Sequence, residues 1–145
     1  MAEYTSNALQ TVNAGQNVLF SESPIPCTRG YVIHREGSGI LTLRGIVNNC
    51  NGCFARYKVS FGCNMAGTTE LTEGTSLSLA LAIDGEPIPT SSMVITPAEG
   101  NQFWNVYASV FVTVPRGCCY TVAVENTGTQ AVQVQNANII VERTA

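Results

Sequence analysis

One imidazole, His34, is present, so any Ser-His-Asp or Cys-His apparatus would have to be built around it. It stands in Tyr31-Val32-Ile33-His34-Arg35-Glu36, at the end of an extended run entering a Gly-containing turn. No other feature marks a histidine-dependent site, so His34 reads as a half-exposed strand residue hydrogen-bonded to a neighbour. The carboxylates are isolated from one another, and Glu70 with Glu73 falls in a polar stretch where simple solvation accounts for them. The chain is therefore expected not to be an enzyme and to need no cofactor.

Six cysteines offer more chemistry. Cys50-Asn51-Gly52-Cys53 has Cys-x-x-Cys spacing, Cys63 follows ten residues later, Cys118-Cys119 is a vicinal pair, and Cys27 stands apart. Structural zinc needs four convergent thiolates or imidazoles, and these intervals do not form a paired knuckle. A redox role for Cys50 and Cys53 would want a helix start to lower a thiol pKa, whereas the pair lies between strands. Buried thiols remain one reading, and disulfides or cross-links formed in an oxidising environment remain another. Six cysteines allow fifteen pairings, among which sequence does not choose. In a regular strand Cys118 and Cys119 point to opposite faces, one towards the core and one outward, where it can bridge subunits.

The elements that position these residues are strands. Leu77-Ser78-Leu79-Ala80-Leu81-Ala82-Ile83 sets large aliphatics against Ser and Ala with period two, and Asp84-Gly85 follows as a two-residue hairpin signal. From Phe103 to Val114 the valines and Ala108 occupy one face, while Asn105, Tyr107, Ser109, Phe111 and Thr113 occupy the other. Further strands are expected at Asn17 to Phe20, Tyr31 to Arg35, Ile40 to Val47, Phe54 to Phe61, Met93 to Thr96, Tyr120 to Glu125, Gln130 to Gln135 and Asn138 to Arg143. No stretch of ten residues carries helical periodicity. About eight to ten short strands in a chain of 145 residues predict a single all-β domain, a two-sheet antiparallel jelly-roll sandwich. Residues 1–14, rich in Ser, Thr and Asn, read as an extended N-terminal arm and a candidate contact with a larger particle.

Tyr107 and Phe111 place aromatic rings where a water-facing strand would be polar. Either the strand is buried on both faces within one subunit, or this face packs against identical subunits. Trp104, the one tryptophan, is a core or rim residue in preference to a ligand platform. Charged residues make up only 12% of the chain, about half the usual share, so part of the surface is expected to be covered by other subunits. Ten acids and seven bases are spread along the sequence, with no phosphate-binding footprint and hence no nucleic-acid partner expected. No apolar run approaches a membrane span, and the start lacks the features of a secretory signal. Synthesis in a cytoplasm is the expectation.

These strand and turn patterns resemble a known group. The Leu77 to Pro89 segment, Phe103 to Val114, Pro115-Arg116-Gly117, Tyr120 to Asn126 and Gln135-Asn136-Ala137-Asn138-Ile139-Ile140-Val141 look like the trimeric jelly rolls of the tumour necrosis factor and complement type. Bacterial relatives of that group cap collagen-like spore-surface fibres, although this chain has no Gly-X-Y stem. Tyr31-Val32-Ile33-His34-Arg35-Glu36-Gly37-Ser38-Gly39 and Val134-Gln135-Asn136-Ala137-Asn138 are also similar to uncharacterised surface proteins of gut Firmicutes and their phages. The resemblance runs from about Ala14 to Arg143. It implies a homotrimer that binds a capsid or other surface lattice, as a decoration or head-fibre protein on a virion or on a cell or spore surface. Two other classes stay open: a carbohydrate- or receptor-binding module, and a disulfide-linked, self-polymerising coat or appendage subunit.

Overall fold

A computed structural model describes residues 1–45 and 53–144. In chain order the strands are β1 (Ala2–Ser6), β2 (Gln10–Val12), β3 (Glu22–Ile25), β4 (Val32–His34), β5 (Leu41–Arg44) and β6 (Phe54–Gly67). There follow β7 (Leu77–Ile83), β8 (Glu86–Pro87), a 3-10 turn (Pro89–Ser91), β9 (Met93–Ile95), β10 (Trp104–Pro115), β11 (Cys119–Asn126) and β12 (Val132–Arg143). The first sheet has the order β10-β6-β12-β1-β3, with β2 beside β12. The second has the order β4-β5-β11-β7-β8, with β9 beside β7. Every pairing within them is antiparallel. The fold is the all-β jelly-roll sandwich that the strand pattern predicts.

Period-two alternation fills the space between the sheets. Tyr57, Val59, Phe61, Cys63 and Met65 of β6 face Leu41, Leu43, Leu77, Leu79 and Leu81 of the opposite sheet in one core, to which Val134, Ile139 and Val141 of β12 also belong. Phe20 joins them, its ring edge-on to Phe61 with centroids 6.2 Å apart. The Asp84-Gly85 turn forms as expected, both residues at positive φ (51° and 85°), and Asp84 Oδ1 accepts hydrogen bonds from the amide (2.9 Å) and hydroxyl (3.0 Å) of Thr121. Gly39 is required by a close approach, since a Cβ there would stand 2.5 Å from the Val18 carbonyl oxygen.

Three expectations are corrected. Residues 1–14 are no free arm: β1 lies between β12 and β3, with Ala2, Tyr4 and Ser6 buried. The same alternation that serves elsewhere serves here, and hydrogen bonding to two neighbours compensates for the polar composition. Asn17 to Phe20 is an irregular segment bridged once to β11 at Glu125, although Val18 and Phe20 are fully buried. The two strands expected at Gln130 to Gln135 and Asn138 to Arg143 are one strand, β12, with a register shift between Gln135 and Asn138 and Asn136 at φ 56°.

Candidate assembly face and cysteine pole

Strand β10 ends its sheet: β6 lies on one side and no strand on the other among the described residues. All twelve of its residues are uncharged, an unusual composition for an edge, because natural edges are commonly blunted with charge. Its inward valines pack towards the core, with Val112 and Val114 buried. On the outward face Tyr107 is 63% and Phe111 64% exposed, while Trp104, at the start of the strand on the side of the valines, is 50% exposed. The strand is therefore not buried on both faces within one subunit. Phe103 and Phe54, also exposed, extend the aromatic surface along the chain at either end of the pair β10·β6. Phe103 shares the odd-numbered stripe of Tyr107 and Phe111, whereas Phe54 joins it only through the pairing of β6 with β10.

Cross-strand neighbours on β6 hold the rings in place. Gly62 lies opposite Tyr107, and a Cβ there would stand 3.7 Å from Tyr107 Cδ2, so the ring lies over a position with no side chain. Hydrogen bonds from Ser60 and Ser109 hold the Tyr107 phenol below its ordinary pKa. The two serine hydroxyls also meet each other at 3.0 Å. Phe111 stands opposite Lys58, and Arg56 packs over the Phe54 ring at 4.8 Å while its Nε donates to Thr113 Oγ1 at 3.3 Å. Beyond the aromatics a row of amides crosses the sheet: Asn105 Nδ2 donates to Asn64 Oδ1 (3.2 Å), Asn64 Nδ2 to Asn136 Oδ1 (3.1 Å), and Asn136 Nδ2 to Asn7. The face thus joins a hydrogen-bonded polar band to an exposed aromatic band.

The remaining singled-out residues fall elsewhere. His34 Nε2 donates to the Ser38 carbonyl at 2.9 Å, and the ring lies 4.4 Å from that of Tyr4 and 6.3 Å from that of Phe20, so it is used in packing. Five cysteines, 27, 53, 63, 118 and 119, are free thiols, so of the two readings left open the disulfide is not formed among them within the chain; Cys50 lies outside the described residues. Cys63 faces the core, where burial pushes its thiol up to about 12, and it is out of reach of any cross-link. Cys53, Cys118 and Cys119 are exposed. The expectation that one of the vicinal pair faces the core fails, because Cys118 sits in the turn before β11 and escapes strand alternation. The Arg116 amide donates to the Cys53 carbonyl (3.1 Å) and the Gly45 amide to that of Cys118 (2.9 Å), so all three thiols are carried at one end of the sandwich. Cys27, half-buried, lies at the same end. Partial burial raises its thiol pKa, but backbone N–H groups of Val32, Arg29, Tyr31 and Gly30 favour the thiolate and outweigh it, leaving a net lowering.

With this geometry established, solved structures of similar shape were compared. The globular domain of zebrafish complement 1qA protein superposes with a TM-score of 0.61 at 15% identity, over 96% of this chain and 94% of that one. The Eiger TNF of S. frugiperda gives 0.66 at 10% identity, over 99% and 91%. Murine APRIL gives 0.58 at 9% identity, over 97% and 98%. The chain has their fold. At such identities the likeness is one of architecture. No protein-family model matches the sequence, and no curated protein matches it at a significant level.

Proposed function

We propose that the protein is a structural, non-enzymatic surface protein that assembles as a homotrimer through the outward face of β10, and that the trimer decorates a larger particle such as a capsid. One observation carries this reading: an uncharged edge strand of twelve residues presents Trp104, Tyr107 and Phe111 to solvent, each at least half exposed. Aromatic side chains are enriched at the buried centres of interfaces, and an uncharged edge left open invites association. A fold shared with the complement and tumour necrosis factor domains supports a threefold arrangement. Exposed Cys53, Cys118 and Cys119 supply cross-links between neighbouring subunits in an oxidising environment.

Light scattering of the purified chain with and without reductant tests the reading. A trimer that survives reductant is expected, and Tyr107→Asp with Phe111→Asp should convert it to monomer. Each such interface centre is worth about 2 kcal/mol or more, roughly 30-fold in affinity. A wild-type monomer at micromolar concentration would overturn the assembly; a ladder that collapses on reduction would favour the cross-linked coat. A glycan- or receptor-binding role draws on Phe103 and Trp104, exposed beside Asn101 and Asn105, and a glycan screen on the full chain separates it from decoration.

A further inference from the structure

Seven basic residues spread along the sequence are not spread in space. Arg44 closes β5, Arg56 lies near the start of β6, Arg116 occupies the β10–β11 turn, Arg143 ends β12, and Arg29 precedes β4. Registers pair Arg44 with Cys119 and Arg143 with Tyr57, so these five arginines gather at the cysteine-bearing end. Arg35 follows β4 and stands away from that end. Glu142, in register with Lys58, and Asp84, bonded to Thr121, are carried towards the same end, where the five arginines outnumber them.

At that pole a cavity of about 550 Å³ is lined by Cys27, Thr28, Arg29, Tyr31, Arg143 and Thr144 together with Met1. The Arg143 guanidinium carbon stands 4.4 Å from the centroid of the Tyr31 ring, which fixes the plane of one fork. A third guanidinium borders the same loop, since a Cβ on Gly30 would lie 4.0 Å from Arg44 Nη1. Planar guanidinium forks match the paired oxygens of carboxylate, sulfate and phosphate, and the hydroxyls of Thr28 and Thr144 add neutral donors. We infer that this cavity binds an oxyanion, carried either by a small ligand or by an anionic surface polymer. The site is separate from the β10 face and does not rest on the trimer.

Calorimetric titration of the full chain with sodium sulfate and with dextran sulfate at low salt tests the inference, combined with iodoacetamide labelling of Cys27 read by peptide mass spectrometry. Binding of at least one probe is expected, with protection of Cys27 by the bound probe. Exposed Arg29 replaced in Arg29→Glu should lose about tenfold or more in affinity, the worth of one charge-assisted contact. Arg35→Glu makes the same charge change outside the cavity wall and should change affinity by less than about twofold. Saturation by sulfate assigns a small oxyanion, and binding of the polymer alone assigns a polymer; either supports the site. Absence of binding by both probes, equal loss in the two variants, or labelling of Cys27 undiminished at saturation would overturn it.

Discussion

The thiols of Cys63 and Cys27 show how far placement alone changes one side chain. Cys63 faces the core from β6 and its pKa is pushed up to about 12, so it stays protonated at neutral pH; Cys27 sits among backbone N–H groups that favour its thiolate. A disulfide reagent should therefore modify Cys27 and the exposed Cys53, Cys118 and Cys119 in the native protein and spare Cys63 until the chain unfolds, as peptide mapping would show. The raised pKa also has a thermodynamic sign. Above the ordinary thiol value of 9.0 the unfolded chain releases the Cys63 proton while the folded chain keeps it, so stability falls between about 9 and about 12. That one group contributes a slope of at most about 1.4 kcal/mol per pH unit. Denaturant melts of Cys63→Ala across this range should show a shallower alkaline loss than wild type; an identical loss would refute the assignment.

At the level of the strand, β12 carries the most specific instruction in the sequence. Val132 and Val134 point inward at even positions, whereas Ala137, Ile139 and Val141 point inward at odd ones, and the bulge at Asn136 absorbs the change. Deleting Asn136 removes the one extra residue and leaves a single uninterrupted alternation with the same apolar side chains inward, so the shortened chain should stay soluble and melt cooperatively, as circular dichroism would show. An insoluble or molten deletion would show that the bulge is needed for more than the change of parity. This parity change was visible in the sequence but read as a break between two strands. Strands β7, β10 and β11 were legible because their apolar alternation is long and uninterrupted. Short strands β1, β2 and β3 were not: polar residues dominate them, and pairing with β12 and with each other organises them. The aromatic stripe of β10 could be read from spacing alone, and the structure adds that Tyr107 and Phe111 are left exposed among the described residues. By contrast the arginine cavity draws on residues 29 and 143, which share no local pattern and meet only because β12 ends beside the loop before β4.

Across the whole molecule, Ala2 pairs with Val141, which brings the two ends of the described chain side by side at the arginine pole. Joining them with a short linker and reopening the chain in the exposed loop at Gly74 should give a circular permutant that folds with a melting temperature within a few degrees of the parent. Collapse of the permutant would show that the order of the strands, and not only their contacts, is needed. That order has its own significance. Strand β12 lies between β6 and β1 in the middle of its sheet, yet it leaves the ribosome after every strand that it must join. Until then a nascent chain holds β6 and β1 apart with their hydrogen-bonding edges open, so the sheet closes only once translation has passed residue 143. The interval before that closure is when a chaperone has most to protect.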